Sequence, residues 1–482
     1  MNFADAIREE STHTYTENGA KARNTSGDAC LDFFSTVGSL RKTDDERKIR
    51  LFETAYNEDP LTALRILFYG RDVRGGLGER DTFRTILKDA AQFYPAYVLK
   101  NMHLIPFYGR WDDLYCLMDT PCEDAMWKFM HEAFMEDYRH ACAGADNVTL
   151  LAKWLKRGDE SSKEAHALGI KTAEKFGFTV YEYKRMVRTI RKHLDIVEAK
   201  MSTNRWDEIN YSSVPSRASM IYKNAFMRHD EDRYCDYIQK VQAGEAKINT
   251  SVVYPYDLIH KVLHGSYDST VQAMWDNLPN YVEGGYNALV IADTSGSMDG
   301  RPIETAISLA IYFAQRNRGA YHNLWMTFSM CPTYQIIRDT NLYEIVRNMD
   351  RRGWDTNTNL EAALDRILQT AIDNNVAPED VPASLIIISD MEIDSCEHSG
   401  WSFYDAMKDR YAEQGYQIPN IVFWNVDSRH DIYHADKSRK GVQLVSGQSP
   451  TVFTTLMKSI GMTPIEYMLS VVNSDRYQPV TI

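Results

Sequence analysis

A helical module followed by a doubly wound, mostly parallel α/β domain is the fold class this 482-residue sequence predicts. Three observations carry the prediction. Through the first 283 residues apolar side chains recur at spacings of three and four, without strand-like runs between them, which marks amphipathic helices. After Gly284-Gly285, short β-rich runs alternate with helical stretches, the pattern of a parallel sheet with helical crossovers. Two of those runs, Ala288-Leu289-Val290-Ile291-Ala292 and Leu385-Ile386-Ile387-Ile388-Ser389, are the kind of strand that is covered on both faces, and each ends in an aspartate, Asp293 and Asp390.

Residues 1–29 are polar, rich in Thr, Asn and Glu, and read as an N-terminal arm lying over the surface. The helical-repeat module spans 30–283. Its periodic groups include Leu61-Leu64-Leu67-Phe68, Phe83-Ile86-Leu87, Trp127-Met130-Phe134 and Tyr181-Met186-Ile190-Leu194-Val197, punctuated at Pro60, Gly75-Gly76, Pro95, Pro106, Gly177, Pro215 and Gly244. About ten such helices imply stacked pairs, as in a solenoid or closed ring, although no fixed internal period is evident. The α/β domain spans 284–461. Strands are expected at 286–293, 323–330, 384–390, 420–427 and 441–446. Helices are expected at 302–316, 341–349, 359–374, 402–414, 449–460 and 463–473. A last helix and tail, 462–482, are expected to pack back on the helical module.

The composition, 44% hydrophobic and 25% charged, is that of a folded soluble protein. A net charge of -13 argues against nucleic-acid attraction by bulk field. Residues 151–200 run against that trend, with 12 basic and 7 acidic side chains, and a solvated helix face is the plain account of them. Seven cysteines without a C-x-x-C pair suggest neither a disulfide framework nor a zinc knuckle. The N-terminus lacks the apolar core of a signal peptide, and no apolar run approaches the ~18–20 residues of a membrane helix. The expectation is a cytoplasmic, monomeric protein that does not engage a membrane. Gly75-Gly76-Leu77-Gly78-Glu79-Arg80 lacks the Gly-Lys-Ser/Thr ending of a phosphate loop, and neither a His-Glu-x-x-His motif nor a nucleophile elbow is present. The chain therefore reads as a non-enzymatic binding protein.

The strongest site signal is a set of oxygens at the ends of strands, where open α/β sheets bind ligands. Asp293, Ser295 and Ser297 form Asp-x-Ser-x-Ser in the first strand-to-helix turn, and Gly296 lets that turn close. Thr358 precedes a helical stretch, and Asp390 ends a second strand. One carboxylate with neutral hydroxyls, plus a second carboxylate acting through water, suits a small hard cation that keeps some of its waters. Magnesium is the expected ion, with manganese or calcium as alternatives. Thr358-Asn359-Leu360-Glu361 is also a capping box, so the Thr358 hydroxyl is either a ligand or a helix cap.

With those residues, the stretch 284–461 resembles the von Willebrand factor A domain and its metal-ion-dependent adhesion site. The resemblance implies that Asp293, Ser295, Ser297, Thr358 and Asp390 hold the metal, Thr358 being chosen over Thr356 because it abuts the helix. The sequence departs from the family at Met391, where Gly is common, and Glu392 and Asp394 stand nearby as substitute ligands. The first half resembles the TROVE-type, HEAT-like module of the Ro ribonucleoprotein family. Closer still is an uncharacterised family that joins such a module to a C-terminal A domain. The strings that carry this are Phe68-Tyr69-Gly70-Arg71-Asp72-Val73-Arg74-Gly75-Gly76-Leu77-Gly78-Glu79-Arg80-Asp81 and Ile105-Pro106-Phe107-Tyr108-Gly109-Arg110-Trp111-Asp112-Asp113, with Ala152-Lys153-Trp154-Leu155, Val214-Pro215-Ser216 and Thr463-Pro464-Ile465-Glu466-Tyr467-Met468. Similarity to Ro implies binding of structured or single-stranded non-coding RNA by the helical module.

Arg71, Arg74, Arg80 and Arg110 lie beside Tyr69, Tyr108 and Trp111, where guanidinium groups would hold phosphates and aromatic faces would stack on bases. Lys184, Arg188, Arg191 and Lys192 fall on one side of a helix expected over 181–201, a second candidate phosphate surface. Against this stands internal pairing of Arg71-Asp72, Arg80-Asp81 and Arg110 with Asp112. The competing function is a metal-dependent scaffold that captures an acidic group of a protein partner and needs no RNA.

Overall fold

The computed structural model describes residues 2–328, 331–351, 354, 358–395, 403–459 and 461–482. The chain forms two compact units: residues 1–82 with 251–478, and residues 83–250 with 479–482. The change of texture at residue 284 and the division by compactness therefore fall at different places. The reason is packing. Segments 30–82 and 251–283, helical in sequence character, pack against the later half, Pro60–Arg71 on Pro464–Val472 and Pro255–Leu263 on Arg301–Arg316.

In the first unit, residues 13–15 and 21–23 form a small antiparallel hairpin, β1 (His13–Tyr15) and β2 (Lys21–Arg23). The main sheet comprises β3 (Ala288–Asp293), β4 (Leu324–Phe328), β5 (Thr333–Ile336), β6 (Ser384–Ser389), β7 (Asn420–Asn425) and β8 (Val442–Ser446). Its order is β5-β4-β3-β6-β7-β8. Every pair is parallel except β4 with β5. Strands β3 and β6 are buried along their whole length, as their unbroken apolar runs require. Strand β5 is additional to the expected strands, since Thr-Tyr-Gln-Ile carries no apolar run. It is an edge strand, held to β4 in part by Thr327 Oγ1 and Thr333 Oγ1 at 2.7 Å. The order of strands reverses between β3 and β6. In open α/β sheets such a reversal, beyond the strands' carboxyl ends, is where ligands sit.

Helices Arg301–Arg316, Leu360–Asp373, Phe403–Glu413 and Val452–Leu456 connect or follow the strands. Helix Val452–Leu456 is shorter than the expected 449–460, and the Ser449 and Thr451 hydroxyls bond each other at 2.8 Å ahead of it. From the N-terminal segment, Ala29–Phe34 and Pro60–Arg71 pack with the late helix Pro464–Val472. Gly38 lies so close to Gly447, just past β8, that a Cβ would stand 2.6 Å from the Gly447 Cα. The Arg47 guanidinium donates to the carbonyls of Ser428 (3.0 Å) and His430 (2.6 Å). The expected surface arm is a folded element: helix Phe3–Ser11 leads into β1–β2, and Thr16 Oγ1 donates to the Ile393 carbonyl at 2.6 Å.

In the second unit the described residues form helices and turns, among them Glu123–Ala143, Lys163–Lys175, Val180–His193, Ser216–His229 and Glu231–Gln242. Its core is aromatic: Phe134 and Phe176 have ring centroids 5.3 Å apart, and Tyr211 and Tyr234 5.1 Å. The helix expected over 181–201 is two helices, Val180–His193 and Val197–Ser202. Asp195 between them takes a left-handed φ of 49°, which no continuous α-helix accommodates. The last residues belong to this unit, where Asn101 Nδ2 donates to the Thr481 carbonyl at 2.6 Å and Asn101 Oδ1 accepts from Thr481 N at 3.0 Å. No helix among the described residues is long and apolar enough to cross a membrane.

Candidate metal centre

The centre is built at the reversal of strand order. Parallel pairing of Ala292 with Ile388 sets the ends of β3 and β6 side by side. Asp293, 0% exposed, accepts from Ser295 N at 2.9 Å and from Ser389 Oγ at 2.6 Å, and Ser389 Oγ accepts from Met391 N at 3.0 Å. Ser295 Oγ and Ser297 Oγ stand 3.1 Å apart. Asp390 accepts from Glu392 N at 3.2 Å, and the Ser297 hydroxyl stands near enough to favour its charged form. Asp293, Ser295, Ser297 and Asp390 are thus brought together. Burial, then the neighbouring Asp390 charge, push the Asp293 carboxyl above the ordinary carboxylate range. Burial raises Asp390 too, against the opposing pull of Ser297 and Arg429.

Among the described residues of the strand ends and their loops, Thr294 Oγ1, Thr358 Oγ1 and Asp390 Oδ2 are buried without a hydrogen-bond partner. The helix cap is Asn359, whose side chain accepts from Ala362 N at 2.8 Å, so the Thr358 hydroxyl does not cap the helix. Thr358 is 1% exposed and reaches the loop after β6 through its carbonyl, which accepts from Asp394 N at 2.9 Å. Thr356 lies outside the described residues. Buried, unsatisfied oxygens are costly and want a cation or a water. The donor set is oxygen-only with two carboxylates, which fits a hard divalent ion.

Several nearby residues were not legible beforehand. Arg429 places Nη2 3.2 Å from Asp390 Oδ2, an ion pair without hydrogen-bond alignment, and also donates to the Ser297 carbonyl. Its other amino group is 3.5 Å from Glu17. The one available signal was position, since Arg429 lies just past the end of β7, the strand next to β6. Glu392, offered above as a substitute ligand, is committed elsewhere: it accepts from Glu17 N at 2.7 Å and lies 2.9 Å from His430 Nδ1. Met391 adopts a left-handed φ of 70°, the conformation that favours Gly at this position.

The candidate RNA-contacting residues are scattered in role. Arg71 is 1% exposed and so faces away from any phosphate, whereas Arg74 is exposed. Arg80 pairs with its neighbour Asp81 at 2.8 Å on the surface. The Arg110 guanidinium lies 4.6 Å over the Trp154 ring, and Trp111 stacks on Phe129. The acids of that string pair with Arg84, Asp113 at 2.6 Å and Asp112 at 2.9 Å, and Asp113 also accepts from the Arg110 backbone N–H at 2.8 Å. Arg191 turns inward and donates to the carbonyls of Ala152 (2.8 Å) and Leu155 (2.9 Å), satisfying the end of helix Leu151–Trp154. Lys184 pairs with Asp159 at 2.6 Å, while Arg188 and Lys192 are exposed. The single basic face read from spacing is therefore reduced by two of its four members, because spacing alone does not report which carbonyls and carboxylates a neighbouring segment presents.

Comparison with known proteins places this architecture. The chain belongs to the family described as a domain of unknown function, DUF2828, which it matches over residues 16–141 and 145–291. Residues 287–477 match a second such family, DUF7788, and the two matches meet at the start of β3. The chain is also similar to "Uncharacterized protein L728" of Acanthamoeba polyphaga mimivirus, at 29% identity over 97% of this chain and 89% of that protein.

Proposed function

We infer that this protein is a non-enzymatic, cation-dependent binding module, in which a domain of von Willebrand A type grips an acidic group of a protein partner. The observation that carries this reading is the meeting of Asp293 and Asp390 at the switch in strand order, where Asp390 Oδ2 is buried with no hydrogen bond and has only the Arg429 guanidinium at 3.2 Å. The buried Thr358 hydroxyl, whose backbone carbonyl bonds the loop after β6, has no hydrogen-bond partner either. Asp293, Ser295, Ser297, Thr358 and Asp390 would hold magnesium, or manganese or calcium in its place. When bound, such an ion offers an open coordination position to an outside carboxylate. The surrounding residues shape that access. Gly296 is exposed and Ser297 half-buried, so the turn opens to solvent there, and Arg429 and Glu17 rim it. The test is manganese uptake followed by electron paramagnetic resonance, paired with an acidic peptide array read with magnesium and with chelator. Wild type takes one ion and holds acidic peptides only with metal, and Asp293→Ala does neither. Equal uptake by the two proteins would remove the reading.

Arg429 supplies a charge that competes with a cation for Asp390. Arg429→Gln is expected to tighten magnesium binding by about three- to tenfold, since a positive charge 3.2 Å from a ligand oxygen is removed. Isothermal titration checks this, and weaker binding would assign Arg429 to holding the loop rather than opposing the ion.

A second reading is favoured by Arg185, Arg188 and Lys192, which remain exposed on helix Val180–His193. They would serve a TROVE-like helical repeat module that binds non-coding RNA through phosphate contacts. Replacing all three with glutamate is expected to weaken RNA binding at least about tenfold and flatten its salt dependence. An unchanged gel shift would dispose of this surface.

A further inference from the structure

A second cluster stands apart in chemistry from the oxygen-lined centre. His260 and His264 are four residues apart on and just after helix Pro255–Leu263, so their side chains share one face. That helix packs against Arg301–Arg316, whose first turn carries Glu304. His260 Nδ1 lies 3.0 Å from both Glu304 oxygens, and His264 Nε2 lies 3.0 Å from Oε1. One nitrogen or oxygen from each of the three residues falls within 4.8 Å of the others. We propose that His260, His264 and Glu304 form a binding site for a zinc-like transition-metal ion, with its fourth position open to solvent.

Ligand type, geometry and surroundings argue for this. Two imidazole nitrogens and one carboxylate suit zinc, whereas magnesium prefers oxygens alone. Ligands at ~2.0–2.1 Å in a tetrahedral site stand roughly 3.3 Å apart, so each imidazole nitrogen, now 3.0 Å from the carboxylate, needs to move from it by only a few tenths of an ångström. Glu304 is buried, its side chain 9% exposed, while the imidazoles are 55% and 60% exposed. The carboxylate is therefore fixed and the histidines are free to adjust. Arg301, one turn earlier on the same helix, is drawn away from the carboxylate: its guanidinium lies 4.2 Å over the Tyr256 ring and donates to Gln448 Oε1 at 2.6 Å. Three protein ligands with the remaining side facing water leave room for a solvent molecule or a partner's side chain.

The test uses the full chain and cobalt(II) as a spectroscopic stand-in for zinc, with zinc competition. Wild type is expected to develop the visible bands of a four-coordinate cobalt site at one equivalent, bleached by zinc. His260→Ala/His264→Ala lies on exposed side chains and is expected to lower affinity by at least about a hundredfold, more than the loss of a supporting partner costs. Glu304→Gln is the second variant and is expected to act the same way. Asp293→Ala keeps the cobalt spectrum, and the double histidine variant keeps manganese uptake at the other centre, so the two sites succeed or fail separately. Absence of a stoichiometric cobalt spectrum in wild type, or the same affinity in the double variant, overturns the proposal.

Discussion

Asp293→Asn is expected to melt higher than wild type in chelator and to gain nothing from magnesium. In the metal-free protein, Asp293 is fully buried beside Asp390, and its carboxyl titrates above the ordinary range. A raised folded-state value costs stability once the unfolded chain ionises. The penalty is absent below pH ~4 and grows as pH climbs through the folded-state value. The amide keeps the shape, accepts from Ser295 N and donates toward Ser389 Oγ, but carries no charge. The expected gain at neutral pH is about 1–3 kcal/mol, vanishing near pH 4. Magnesium reverses the ranking. At a hundredfold excess over its dissociation constant, it stabilises wild type by about 2.7 kcal/mol, on the order of 5 °C, and the variant not at all. Differential scanning fluorimetry across pH, with and without magnesium, reads both effects. A variant less stable than wild type in chelator at pH 7 would mean that the carboxylate is held by the protein alone.

Arg476→Ala is expected to cost about 3 kcal/mol in urea denaturation. Asp72 is 0% exposed and accepts from Arg476 through Nε and, at 2.7 Å, Nη2, from Tyr477 OH at 3.0 Å and from Arg74 N at 3.0 Å. Removing the guanidinium strands a buried carboxylate, the costly way to break an ion pair. Arg476 is itself 34% exposed, which places the cost at the low end of that range. Arg476→Lys keeps one charge-assisted bond and loses about 1 kcal/mol. Arg80→Ala, a surface pair in the same string, changes stability by less than about 0.5 kcal/mol. Equal effects from Arg476→Ala and Arg80→Ala would refute the latch.

That latch shows how the sequence misled. Tyr69-Gly70-Arg71-Asp72-Val73-Arg74-Gly75-Gly76 looks like a basic, glycine-containing loop awaiting a phosphate. Its central acid instead anchors residues 476–477, and Gly76 is required because a Cβ there would sit 2.1 Å from the Tyr69 carbonyl. A guanidinium facing solvent and one facing a carboxylate or a carbonyl have the same local sequence. Arg71 and Arg191 were therefore indistinguishable from Arg74 and Arg188 until neighbouring segments were placed. The oxygen ligands were legible because their signal is local: an aspartate closing an apolar strand, and hydroxyls alternating in the turn beyond it. Thr358 was legible as an oxygen but not as ligand or cap, since the choice rests on Asn359 taking the cap.

The order and kind of elements, helices first and alternating strands and helices after, are written in local residue patterns, together with the chemistry at each strand end. Periodicity dictates which face of an element is apolar, and that needs only neighbours a few residues away. Which strand ends meet is a matter of long-range packing. Asp293 and Ser389 are 96 residues apart, and Arg429 reaches Ser297 across 132. Such pairings depend on the strand order β5-β4-β3-β6-β7-β8, which is settled by how the apolar faces of distant segments fit together, a non-local packing choice that no window of sequence contains.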